Sequence, residues 1–327
     1  MRSRSPALAC SRGLLVTPRD LAEPGGLVRL PWAAVDVGHP RPYRPAPAPL
    51  SASATVAVAT ARGLCLALAV LLLSVSPSAA ADVPVEALAR SLQDYNASAR
   101  FPLPELDPTS MRRLSQGQLL RLRDPAPTEG GPQRITGLLV CEASRDALWL
   151  ALRDPHLDAV KDLTEVRLSE EGQWPTVWYQ FFHTPGPFAD RHWVLSVDDN
   201  LALARSSENR LWEHYWTLAA EGPQTAADAV EKGQVPGVDS AMVSKAVYVP
   251  FNEGAWLVMA LSENRTLLGY TVRASVGGRI PDKLVVNYSL LTLGRVLRRV
   301  EARSTTIHSH YDAAHARIRG GDGEPIP

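Results

Sequence analysis

The stretch PFADRHWVLSVDD, Pro187 to Asp199, decides how the rest of the chain is read. A period of two places Arg191, Trp193, Leu195 and Val197 on one face of a strand, with His192, Val194 and Ser196 on the other. A cation therefore shares a wall of apolar side chains. Burying an unpaired guanidinium is costly, so Arg191 must reach water, meet a carboxylate such as Glu165, Asp190 or Glu213, or line an interior that holds something polar. The third arrangement would make this a binding protein.

Further apolar runs flank this one. TEVRLSEE and WPTVWYQFF precede it, and RLWEHYWTLA, SKAVYVPF, GAWLVMALS and TLLGYTVRASV follow, with FNEG and SENR as short polar turns that favour antiparallel hairpins. Upstream, RITGLLVCEAS reads as a strand whose last residue, Ser144, caps the helix RDALWLALRDP, and HLDAVKDL reads as a second short helix. Earlier still, Val85, Leu88, Leu92 and Tyr95 give an amphipathic helix, and SMRRLSQGQLLRLRD fits helix or strand. The series closes with GGRIPDKLVVNYSLLTLGRVLRRVEARS, where Pro281 suits a first helical turn and Val286, Leu290, Leu293, Leu297 and Val300 form one stripe. This order predicts an α+β fold in which a curved antiparallel sheet grips a long C-terminal helix and leaves an apolar space between them.

Composition divides the chain into an N-terminal extension (1–60), a signal-type segment (61–81), a helical lead-in (82–130), the sheet-and-helix domain (131–303) and a tail read as flexible (304–327). The proline-rich extension holds too few periodic apolar positions to build a core. Next, Arg62, an apolar run from Leu64 to Val75 and the small residues Ala79 to Ala81 match a cleaved signal peptide, which implies a periplasmic or secreted protein, with an uncleaved anchor or a buried helix as the alternatives. Signal peptides begin near the start of translation, so initiation near Val56 or Val58 is the expectation. The whole chain carries 34 basic and 34 acidic residues, of which residues 1–81 hold 8 and 3, leaving 26 against 31 after cleavage. That acidic balance disfavours nucleic acid as a partner. One cysteine, Cys141, follows the cleavage point and reads as a buried apolar residue.

The segments PFADRHWV and GGRIPDKLVVN, with this order of elements, resemble the START domain, a lipid-transfer module of the helix-grip superfamily. Arg191 matches the motif arginine, His192 stands where aspartate is usual, and Trp193 and Val194 match the aromatic and aliphatic positions. Gly278, Ile280 and Pro281 match the start of the last helix, and the likeness spans roughly Leu119 to Arg303. The resemblance implies a tunnel for one lipid or sterol-like apolar ligand, transient membrane contact, a monomer and no cofactor. Val197 replaces the second arginine of some sterol-binding relatives, so no polar sterol anchor is implied there.

The expected ligand-lining residues are Arg191, Trp193, Leu195, Trp178, Tyr215, Val286 and Leu290. Each also has a plain structural reading, because aromatic residues and helix stripes fill cores more often than they line cavities. No Gly-x-Ser-x-Gly or His-Glu-x-x-His pattern is present, and the HSHYDAAH histidines at 308, 310 and 315 are poorly spaced for a metal. The chain is therefore expected to carry a ligand and not to act as an enzyme. A cyclase- or hydrolase-type enzyme using the same space, which needs ionisable groups converging on it, and a ligand-free structural or signalling module are the alternatives.

Overall fold

The computed structural model describes residues 83–125, 131–154, 162–170, 172–184, 186–309 and 318–326. The N-terminal extension, the signal-type segment, most of the short helix read at 156–163, and His310 and His315 lie outside these residues.

The lead-in contains α1 (Val85–Ser98) and α2 (Pro108–Ser115). Asp107 caps α2, accepting from the Thr109 and Ser110 amides, and Pro108 supplies a first-turn residue that needs no amide partner. The ambiguous run after Ser110 proves to be both helix and strand: α2 ends at Ser115, and β1 (Leu120–Arg123) pairs with β2 (Ile135–Cys141). Ser144 caps α3 (Arg145–Leu152) as its sequence suggests, its Oγ accepting from Ala147 N at 3.3 Å.

The remaining strands are β3 (Leu163–Arg167), β4 (Thr176–Phe182), β5 (Arg191–Asp199), β6 (Leu211–Leu218), β7 (Val247–Tyr248), β8 (Phe251–Ser262) and β9 (Arg265–Ser275). They form one open sheet in the order β1-β2-β9-β8-β6-β5-β4-β3, antiparallel throughout, with β7 added parallel to β5. The long last helix, α7 (Asp282–Ser304), follows β9 directly. Two readings of local sequence give way here. FNEG is not a turn but the first four residues of β8, and SKAVYVPF holds the end of helix α6 (Ser240–Lys245) before β7. Asp239 decides the second case: its side chain accepts from Met242 N at 2.8 Å and starts the helix that the alternating pattern hides.

Strand alternation gives the sheet two unlike faces. On the outer face, Leu138, Leu257, Met259 and Leu267 pack with Leu88, Leu92 and Tyr95 of α1. Glu213 anchors that helix. Its carboxylate is fully buried and accepts from Tyr95 Oη (2.8 Å), Arg100 N (2.8 Å), Phe101 N (2.9 Å) and Asn200 Nδ2 (2.7 Å), Asn200 being the cap of α4 (Leu201–Ser206). Farther along the same face, Tyr179, Phe181 and Val194 pack with Ala226, Ala229 and Val230 of α5 (Gly222–Glu231).

The inner face is crossed by α3 and α7. Helix α7 seats on β2 at Gly137, where an added Cβ would lie 2.7 Å from Leu293 Cγ and 2.8 Å from Leu297 Cδ1. The absent side chain lets the helix approach the strand this closely. Of the predicted stripe, Val286, Leu293, Leu297 and Val300 are buried and Leu290 is half-buried. Residues 318–326 of the tail pack against the domain. Arg319 bridges to Pro325, Ile318 and Ile326 are buried, and Gly321 lies directly against the Trp212 ring.

Candidate functional site

The registers sort the inner-face side chains into cross-strand rows. Tyr270, Trp256, His214 and Asp199 stand in one row from β9 to β5, beginning beside Gly137. The next row holds Val272, Gly254, Trp216, Val197 and Thr176. Beyond it come Leu218, Leu195, Trp178 and Arg167, and then Trp193, Gln180 and Glu165. At about 3.3 Å per residue, Trp193 lies roughly 20 Å along β5 from Asp199. Two polar stations thus flank a stretch dominated by apolar and aromatic groups.

The first station is a buried chain of three ionisable side chains. Arg153, which caps the C-terminus of α3, places Nη1 3.1 Å from Asp199 Oδ2, and His214 Nδ1 lies 2.6 Å from Asp199 Oδ1. These side chains are 2%, 4% and 2% exposed, respectively. Burial alone would raise the Asp199 pKa, but the Arg153 charge and the His214 hydrogen bond outweigh it and hold the carboxyl below its ordinary range. Arg153 also reaches the Arg319 carbonyl at 3.5 Å, and Trp149 Nε1 donates to that same oxygen at 2.8 Å. The packed tail therefore touches the station directly.

At the second station, Gln180 Nε2 donates to Glu165 Oε2, while Gln180 Oε1 and Trp193 Nε1 have no hydrogen-bond partner among the described residues. The same holds for His214 Nε2, Tyr270 Oη and Asn252 Nδ2, although Asn252 Oδ1 accepts from Trp216 Nε1 at 3.0 Å. Each such buried atom forgoes about 1–3 kcal/mol relative to a satisfied one. Trp212 Nε1 shares this face and is likewise unpartnered, and six such atoms are a concentration that an ordinary filled core avoids.

The residues expected to line a ligand fall out unequally. Trp178, Trp193 and Leu195 are buried on the inner face, and Val286 is buried on α7. Tyr215 is on the wrong face: it shares the Glu213 side of β6, where its hydroxyl donates to Asp198 Oδ2 at 3.3 Å and its ring lies 6.3 Å from Phe101. Arg191 is buried but is paired with none of the three suggested carboxylates. Its guanidinium donates to the carbonyls of Ala189, Val276 (3.2 Å) and Gly277 (3.1 Å), which pins the loop leading into α7. Burial lowers its pKa against the opposing charge of Asp190. Arg153, Asp199, His214, Gln180, Asn252 and Tyr270 were not singled out from sequence. Only the period-two alignment of Asp199 with Arg191 carried a signal, and it did not reveal the partners on α3 and β6.

Other candidates recede. Cys141 is buried, and burial pushes its thiol well up, away from nucleophile chemistry. Among the described residues no group of His, Cys, Asp or Glu could hold a metal, and no helix is long and apolar enough to cross a membrane. A groove between α1 and the end of β8, lined by Arg90, Asp94, Arg210 and Leu261, lies on the outer side of the sheet.

An open antiparallel sheet crossed on its inner face by a long C-terminal helix defines the architecture. The chain has a helix-grip fold. Neither a protein-family model nor a curated protein matches it. Among solved structures, human STARD10 is similar at a TM-score of 0.44 and 10% identity, over 60% of this chain and 73% of that one. A STAR-related lipid transfer protein from Xanthomonas axonopodis gives 0.41 and 17%, over 57% and 93%. An aromatase/cyclase from Streptomyces gives 0.35 and 16%, over 55% and 96%.

Proposed function

We propose that this helix-grip protein binds one largely apolar ligand between the inner face of its sheet and α7, and carries it between membranes. The observation that carries this reading is the set of unpartnered polar atoms on the inner face, at Gln180, Trp193, Trp212, His214, Asn252 and Tyr270, among buried tryptophans. A ligand with an apolar body and a few polar groups supplies the missing partners, while the aromatic wall removes its body from water at about 25 cal/mol per Å². The START-like segments at Pro187–Val194 and Gly278–Pro281 point the same way, toward a lipid or sterol-like molecule. Export through the Leu64–Val75 run belongs to this proposal, and N-terminal sequencing of the purified protein tests it. Organic extraction of the purified protein, followed by mass spectrometry, tests the binding. A stoichiometric apolar molecule is expected, and protein that neither yields one nor takes one up from mixed-lipid vesicles defeats the reading.

A second reading, an enzyme working in the same space, is favoured by one feature: the buried Asp199–His214 pair, whose free ring nitrogen has the form of a general base. It predicts that the extracted molecule is chemically altered on prolonged incubation with fresh protein. Recovery unchanged leaves the carrier reading alone.

A further inference from the structure

Residues 318–326 cover one end of the inner face. Helix α7 begins at the Arg191 end of the sheet and finishes beside Asp154, to which Arg303 donates, so the tail lies opposite the Gly277 approach. It is a small hairpin bonded to itself. Gly320 N donates to the Glu324 carbonyl at 2.7 Å, Gly323 N to that of Gly320 at 3.0 Å and Ile326 N to that of Ile318 at 3.1 Å, while Asp322 Oδ1 accepts from Glu324 N at 3.0 Å. Gly323, with φ at 88°, closes the turn. None of these bonds is lost if the hairpin lifts off as a unit.

Its hold on the domain is slight by comparison. The Arg319 carbonyl accepts from Trp149 Nε1 at 2.8 Å and meets Arg153 Nη1 at 3.5 Å, Ile318 and Ile326 are buried, and the Gly320–Gly321 backbone is laid on the Trp212 ring. An added Cβ on Gly320 would sit 2.8 Å from Trp212 Cη2, and one on Gly321 would overlap Cγ, so the two glycines straddle the indole. The Trp212 Nε1 between those ring ends is buried without a partner among the described residues, and so is Arg153 Nε. Water would satisfy both donors once the tail left, so docking carries a desolvation cost that release recovers. Two isoleucines and one carbonyl, set against two stranded donors, make a contact built to open locally. Trp212 stands on β6 two residues from His214, so lifting the tail opens onto the inner face.

We propose that residues 318–326 are a releasable cover over a second entrance to the ligand space, between α3 and β6, and that the docked tail sets the rate at which ligand enters and leaves. This rests on the ligand-binding reading above.

The test follows energy transfer from tryptophan to a pyrene-labelled fatty acid or to dehydroergosterol, supplied in neutral phosphatidylcholine vesicles, after rapid mixing with the full chain or with a chain ending at residue 317. A tail docked about nine-tenths of the time slows passage about ten-fold, since flux follows the open fraction. Truncation should therefore raise uptake and release together by about ten-fold and leave Kd within about two-fold. The peptide of residues 318–327 added to the shortened chain should restore slow exchange, and the same peptide carrying Gly321→Leu should not. Gly321→Leu in the full chain should behave as the truncation does, while Glu324→Gln, at an exposed position, should not. Hydrogen exchange in the unmodified protein reads release without any variant: the Trp149 and Trp212 indole protons should exchange well before that of Trp216, which donates to Asn252. Equal rates in the full and shortened chains overturn the proposal and leave the ligand-binding reading standing. Faster release alone, with weakened binding, does the same, because the tail would then be part of the ligand's wall. Indole protons that exchange only with global unfolding also overturn it. Uptake of neither probe by any form defeats the proposal, and if no molecule co-purifies either, the ligand-binding reading falls with it.

Discussion

Arg191 Nη2 lies 3.1 Å from the carbonyl oxygen of Gly277, so the arginine that opens β5 is bonded to the chain just before α7. Gly277 and Gly278 both have positive φ, at 65° and 67°, and an added Cβ on Gly278 would sit 3.0 Å from Arg191 Nη2. Paired glycines and one guanidinium therefore shape the approach to the last helix.

Removing the guanidinium leaves the Ala189, Val276 and Gly277 carbonyls without that donor. Arg191→Met should lower stability by about 2–4 kcal/mol, from the loss of charge-assisted hydrogen bonds at a buried site. Arg191→Lys should recover only part, because an ammonium cannot span three carbonyls as a planar fork does. Urea denaturation measures the loss. Amide exchange should accelerate in the first turns of α7 and spare β2. Uniform acceleration would show that Arg191 supports the whole sheet and has no special hold on the helix approach.

The seat of α7 on Gly137 makes a second prediction. Gly137→Ala places a methyl group within 2.8 Å of Leu293 and Leu297, an overpacking worth about 1–3 kcal/mol. Leu293→Ala alone should cost about 2–5 kcal/mol as a cavity. Combined, the two should be less damaging than their sum, because the added methyl enters the space the leucine leaves. Additive losses in a double-mutant cycle would place the helix farther from the strand.

His192 makes a pH-dependent prediction. It occupies the outer face, 5% exposed, with its ring centroid 5.1 Å from Tyr248 and Nδ1 3.4 Å from Tyr179 Oη. Burial holds its pKa below the ordinary 6.5. A histidine depressed in the folded state binds protons more readily when unfolded, so its stabilising contribution is full above about pH 6.5 and is lost as pH falls through the folded value. Denaturation midpoints should therefore fall on acidification below about pH 6.5. His192→Phe should flatten that limb, and an unchanged slope in the variant would assign the effect to another group.

How legible all this was in the sequence depends on the range of the interactions. The α1 stripe, the Ser144 cap, β5 and the stripe of α7 were readable because each is set by local periodicity or by a side chain three residues away. FNEG failed because its turn-like residues serve the sheet: Gly254 lies under the Trp216 ring, where an added Cβ would sit 2.4 Å from that indole, and Asn252 binds the indole nitrogen. The polar stations were least readable of all. Arg153, Asp199 and His214 sit at the end of a helix and on two strands, and no local pattern announces that they meet. Tyr215 shows the converse: it is an aromatic strand residue like Trp216, and only the register assigns the neighbours to opposite faces.

The Arg153–Asp199 pair supplies the last prediction. With both side chains under 5% exposed, removing one partner strands a buried charge. Asp199→Asn should cost about 3–5 kcal/mol, whereas the double variant Arg153→Met with Asp199→Leu should be far less damaging than either single change, because no charge remains to be desolvated. The pH profile separates this from simple repacking. Since the Asp199 pKa is held below its ordinary value, its contribution is present above about pH 4 and is lost as pH falls through the folded value. The acid limb of the stability curve should therefore be shallower in Asp199→Asn than in the unmodified protein. An identical limb in the two would mean that Arg153 does not hold the carboxylate charged.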